Sequence, residues 1–76
     1  MYKLSYEQNT DRWHAITQDG SPPYALHCGD SLIIQVAERF LSCRIEMDWD
    51  WYLLIGENKF RLHSKEVYSV KNILCF

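Results

Sequence analysis

From Leu26 to Lys71, apolar and polar residues alternate in short runs, each closed within a few positions by turn-forming chemistry. A period of two predicts strands, since successive side chains on an extended backbone point to opposite faces. The clearest run is Phe40 to Asp48. Leu41, Cys43, Ile45 and Met47 share one face, while Ser42, Arg44, Glu46 and Asp48 share the other. Such alternation predicts an antiparallel strand with one buried side. Ser31 to Val36 predicts a central strand, with Leu32, Ile34 and Val36 opposed to Ile33 and Gln35. Ile33, Val36, Ala37, Phe40 and Leu41 also approximate helical spacing, but β-branched residues and the preceding Gly29 favour strand. Trp51 to Ile55, Lys59 to Leu62 and Val67 to Lys71 continue the series. In these, Trp51 keeps phase with Leu53 and Ile55, Phe60 and Leu62 face inward, and Lys59 and Arg61 face outward.

The punctuation between the runs agrees with this reading. Gln18-Asp19-Gly20-Ser21-Pro22-Pro23 is the strongest loop signal, and Cys28-Gly29-Asp30 reads as a tight turn. Ala37-Glu38-Arg39 is a short connection, Asp48-Trp49-Asp50 a turn, and Gly56-Glu57-Asn58 a three-residue hairpin loop. His63 to Glu66 resembles a single 3₁₀ turn before the last core strand. Met1 to Asn9 alternates weakly through Tyr2, Leu4 and Tyr6, as a strand or a loose arm. The expectation is a mainly β domain: a small SH3-like antiparallel barrel of five or six strands. Its core spans about residues 12–71 of a single domain over 1–76, with 1–9 and 72–76 peripheral.

Composition supports a folded domain of this size. A chain of 76 residues buries only roughly 60% of its unfolded surface, so its core must be dense in large groups. Here 47% of residues are hydrophobic and 14% aromatic, against three Gly and two Pro, which argues against disorder. A formal charge of −2 disfavours a nucleic-acid binder and leaves protein partners as the broad expectation. Cys28, Cys43 and Cys75 are an odd set with no visible leader sequence before them, so a reduced, cytoplasmic protein is expected. No apolar run approaches the length of a membrane span. The expected state is a monomer or weak homodimer that binds no cofactor.

Leu26-His27-Cys28-Gly29-Asp30, followed by Arg44-Ile45-Glu46 and Trp51-Tyr52-Leu53, resembles a functionally uncharacterised family of small single-domain proteins. Its members occur mostly in phages, plasmids and conjugative elements of Gram-positive bacteria. The resemblance covers roughly Arg12 to Lys71 and implies a compact β-fold of mobile-element origin, with no catalytic residue to transfer.

The leading candidate surface is the aromatic and acidic turn. Trp49, flanked by Asp48 and Asp50 and joined by Trp51 and Glu46, suits a protein hot spot in which a rigid ring anchors and charge selects a basic partner. The structural alternative is that Trp49 folds back as a lid over the barrel end. Arg44, Glu46 and Asp48 also face Lys59 and Arg61 across strands, either as plain ion pairs or as part of an acidic strip. That strip, drawn from Glu38, Glu46, Asp48, Asp50 and Glu57, would imitate nucleic-acid phosphates toward a basic groove. The expectation is a non-enzymatic protein-binding module, and the mobile-element resemblance implies a small accessory or anti-defence factor, such as an anti-CRISPR-like inhibitor that occupies a basic site on a host protein. Its rival is a nucleic-acid-binding barrel in which Arg12, Trp13, Tyr24, Lys59 and Arg61 combine stacking with phosphate contact. His27, Cys28, Cys43 and His63 supply zinc-ligand types without the paired short spacings of structural zinc sites. His27 cannot serve as base for Cys28, since neighbours on an extended strand face apart. No metal and no catalytic residue is expected.

Overall fold

Alternation decides the fold strand by strand. A computed structural model describes residues 2–74. In chain order the strands are β1 (Tyr2–Glu7), β2 (Arg12–Thr17), β3 (Tyr24–Ala25), β4 (Ser31–Val36), β5 (Arg39–Met47), β6 (Trp51–Ile55), β7 (Asn58–Arg61) and β8 (Tyr68–Leu74). Among the described residues there is no helix, and the Leu32 to Leu41 segment is a β-hairpin. All eight strands form one antiparallel sheet in the order β3-β2-β1-β8-β4-β5-β6-β7.

This corrects the expected count of five or six strands. The sheet is not closed: β3 and β7 are its edges. Both are short, and β7 carries Lys59 and Arg61, which blunts it against stray pairing. The segment expected to be peripheral at the N-terminus is internal, since β1 lies between β2 and β8 and Leu4 is fully buried. Likewise residues 72–74 extend β8 along β4, where Ile73 pairs with Leu32. Met1, Cys75 and Phe76 lie outside the described residues.

The buried faces of the strands meet in a single core that includes Leu4, Trp13, Leu32, Ile45, Leu53 and Val70. Trp13 is the largest fully buried side chain, held between the rings of Tyr6 at 5.5 Å and Tyr68 at 5.8 Å. Cys43 and Ile45 turn inward as their spacing predicts, but Met47 stays exposed and Leu41 is half-buried. Val36 and Phe60, also expected inside, are exposed as well. Val36 and Met47 end their strands, and Phe60 lies on the edge strand.

Two hairpins show how tightly the turns are set. Ile55 pairs with Asn58, so the β6–β7 loop has two residues, not three, with Gly56 at φ 61° in its first position. Val36 likewise pairs with Arg39, and Ala37 takes φ 56° where glycine would be unstrained. Ala37→Gly should therefore stabilise the domain by about 0.5–1 kcal/mol in urea unfolding, because the left-handed cost of about 1–2 kcal/mol outweighs the added chain entropy. A lower midpoint would contradict this. The expected 3₁₀ turn is a simple turn, in which the Glu66 N–H donates to the His63 carbonyl at 2.9 Å.

Candidate recognition tip at the β5–β6 hairpin

Met47 pairs with Trp51, leaving Asp48-Trp49-Asp50 as the loop between β5 and β6. Its two carboxylates shape it from within. Asp48 Oδ1 accepts the Asp50 N–H at 3.1 Å, and Asp50 Oδ1 accepts the Trp51 N–H at 2.8 Å. These local bonds substitute for ladder bonds that the turn cannot make.

The loop is then bound to the edge strand. Arg61 of β7 pairs with Tyr52 across β6–β7, which places its guanidinium on the outer face beside the loop. From there it donates through both terminal nitrogens to Asp48, at 2.6 Å and 2.9 Å, and also to the Asp50 carbonyl at 3.1 Å. Lys59 adds a third donor to Asp48 at 3.3 Å. The guanidinium carbon lies 4.3 Å from the centroid of the Trp49 ring and 5.0 Å from that of Tyr52. A planar cation against aromatic rings, forked onto a carboxylate, fixes both position and orientation. Trp49 nonetheless remains 77% exposed, the most exposed large apolar side chain in the domain's described part. It is a ring on a pedestal, not a lid.

The electrostatics follow from this geometry. The Arg61 guanidinium, with the Asp50 N–H and Lys59 behind it, holds the Asp48 carboxyl well below the usual carboxylate range. Asp48 in turn raises the Arg61 pKa. Elsewhere, the Thr17 hydroxyl and Ser21 N–H lower Asp19 to about 2, and burial pushes the Cys43 thiol up to about 11. A thiol so protonated is a core group and no nucleophile.

A family model for a domain of unknown function, DUF5348, matches residues 2–72. The chain belongs to the DUF5348 family. No curated protein and no solved structure matches it.

Within this DUF5348 domain the expected surface residues separate. Trp49, Asp48 and Asp50 come together at the tip. Trp51 does not join them: it is 5% exposed and packs in the core, where its indole N–H has no acceptor among the described residues. Its phase with Leu53 already pointed inward. Glu46 is half-buried and ion-paired to Arg44 at 3.2 Å on its own strand. The acidic strip does not form. Glu38 lies in the β4–β5 turn, nine residues of β5 away from Asp48, or about 30 Å at 3.4 Å per residue. Glu57 sits in the β6–β7 turn, also away from the tip, and Asp48 is neutralised by Arg61 and Lys59.

The rival nucleic-acid set is dispersed as well. Trp13 is sealed in the core, so it has no face to offer a base. Arg12 is half-buried and donates to the Leu26 carbonyl at 3.3 Å. Tyr24, on the opposite edge strand, donates to Asp30 at 3.2 Å. Lys59 and Arg61 belong to the tip and are engaged by Asp48. The facing of Asp48 with Lys59 and Arg61 was legible in the alternation, whereas the part played by Tyr52 was not. Its signal was its place opposite Arg61 in a short hairpin. Among the described residues no three of His, Cys, Asp and Glu gather as a metal site would require, and no helix is long and apolar enough to cross a membrane.

Proposed function

We propose that this DUF5348 domain is a non-enzymatic protein-binding module that grips its partner with the β5–β6 tip. The observation that carries this reading is the combination at Trp49 of high exposure with an immobilised underside on Arg61. An aromatic ring fixed before binding loses little freedom on association, and large rigid anchors of this kind dominate interface energetics. Asp50 adds a carboxylate beside the ring and favours a basic partner surface.

The resemblance to small mobile-element proteins supports a host protein as the target and an anti-defence, anti-CRISPR-like inhibitor as the role. The free thiols of Cys28 and Cys43 support a reducing, cytoplasmic setting. We also read the curled sheet as an SH3-like barrel in the broad sense, because strands from both halves share one core.

The test is parallel affinity capture from host lysate with wild-type and Trp49→Ala/Asp50→Lys baits, quantified by mass spectrometry. The double variant should keep the wild-type circular dichroism spectrum and lose the specifically captured protein by at least about thirtyfold, the size of a hot-spot truncation. Capture at the wild-type level would remove this surface from consideration.

A further inference from the structure

The net charge of −2 conceals a strong segregation. Of ten acidic residues only Glu7 and Glu46 lie on strands; the other eight occupy turns and loops. Of eight basic residues only Lys65 lies off the strands. Acids therefore ring the ends of the sheet while its outer face is left to bases.

The segregation is sharpest across β1, β8, β4 and β5. Leu4 and Val70 are fully buried, so Lys3 and Ser5 on β1 and Ser69 and Lys71 on β8 turn outward. Gln35 on β4 pairs with Phe40 on β5, and both lie out of phase with the buried Ile34 and Cys43. Two contacts join these strands on the outside. Lys3 Nζ donates to Ser69 Oγ at 3.1 Å, and Lys71 Nζ lies 4.8 Å from the centroid of the Phe40 ring. Phe40 is 47% exposed, which no core role explains. Among the described residues neither lysine forms an ion pair. The acids bordering this surface lie at its margins: Glu38 in the β4–β5 turn, Glu7 at the end of β1 four residues or about 14 Å from Lys3, and Glu46 six residues along β5 from Phe40, about 20 Å away.

We infer that this outer face binds single-stranded nucleic acid, with Lys3 and Lys71 on successive phosphates and Phe40 as the stacking platform for a base. A sheet face bearing an exposed ring, cations and small hydroxyl or amide groups offers each element of such recognition. An anionic membrane would instead need several exposed apolar side chains to insert, and beside Phe40 this face presents Gln35 and Ser42, with Ile33 only half-buried between them. The surface is distinct from the Trp49 tip and uses none of the five residues of the sequence-based nucleic-acid set.

The test is a fluorescence anisotropy titration of labelled oligothymidylate and oligouridylate with the full chain at about 50 and about 200 mM salt. Two phosphate contacts predict a salt slope near −1.4 and so about a sevenfold loss of affinity between the two conditions. Lys3→Gln/Lys71→Gln should abolish the salt dependence, and Phe40→Ala should weaken binding about tenfold. Lys65→Gln, in a turn away from this face, should match wild type, and all variants should retain the wild-type circular dichroism spectrum. No binding at the lower salt would overturn the inference. So would binding indifferent to the lysine and Phe40 substitutions, or association with phosphatidylserine vesicles but not with either oligonucleotide.

Discussion

Trp13→Ala is expected to lower the unfolding free energy by about 3–5 kcal/mol, the range for truncating a large buried aromatic. A domain of this length has a total stability of about 4–11 kcal/mol, so the variant should sit at the edge of unfolding. The size of the effect comes from the position of the ring. It is 1% exposed and flanked by Tyr6 and Tyr68. Losing the indole thus opens a cavity where β1, β2 and β8 converge, and the two tyrosine rings lose their common neighbour. Urea unfolding monitored by circular dichroism measures the loss, with Trp13→Phe expected to fall between wild type and the alanine variant. A loss under about 1 kcal/mol would mean that the core is not organised around this residue.

The second large effect concerns Arg61, and its readout is local. Arg61→Ala removes the forked bonds to Asp48, the bond to the Asp50 carbonyl and the support beneath Trp49. Hydrogen exchange at the Asp50 and Trp51 amides should accelerate while core amides stay protected. Arg61→Lys should be intermediate, because an ammonium keeps the charge but cannot fork onto a carboxylate.

The pH dependence gives a second handle on the same group. The folded-state pKa of Asp48 lies below its ordinary value of 3.8, so its contribution to stability is complete above that value and is lost as pH falls through the folded pKa. Asp19, lowered to about 2, acts in the same direction and over the same acid range. Wild type should therefore lose melting temperature on acidification from about pH 5 to pH 2. Arg61→Ala should lose less over that interval, because in it Asp48 has surrendered its main partner. Parallel slopes for the two proteins would contradict the bridge.

How much of this was legible in the sequence varies by residue. The inward set Cys43, Ile45, Leu53 and Leu62 followed from period-two spacing, and each is buried. The exposure of Met47, Val36 and Phe60 did not follow, because alternation names a face without saying where along the strand that face is covered. β1 looked weak because its polar residues, Lys3 and Ser5, face outward on a strand paired on both sides. Such pairing is non-local, and no short window of sequence reports it. The tip was readable as exposed Trp49 between two acids, but its fixation was not. Asp48 and Arg61 are thirteen residues apart and meet only because β6 and β7 form a tight hairpin.

Trp49 is the residue proposed to meet a protein partner. Oxidative footprinting of the free domain and of the captured complex tests this directly. Trp49 should be modified readily in the free domain and protected in the complex, with Trp13 and Trp51 unreactive in both. Equal modification of Trp49 in the two states would contradict it.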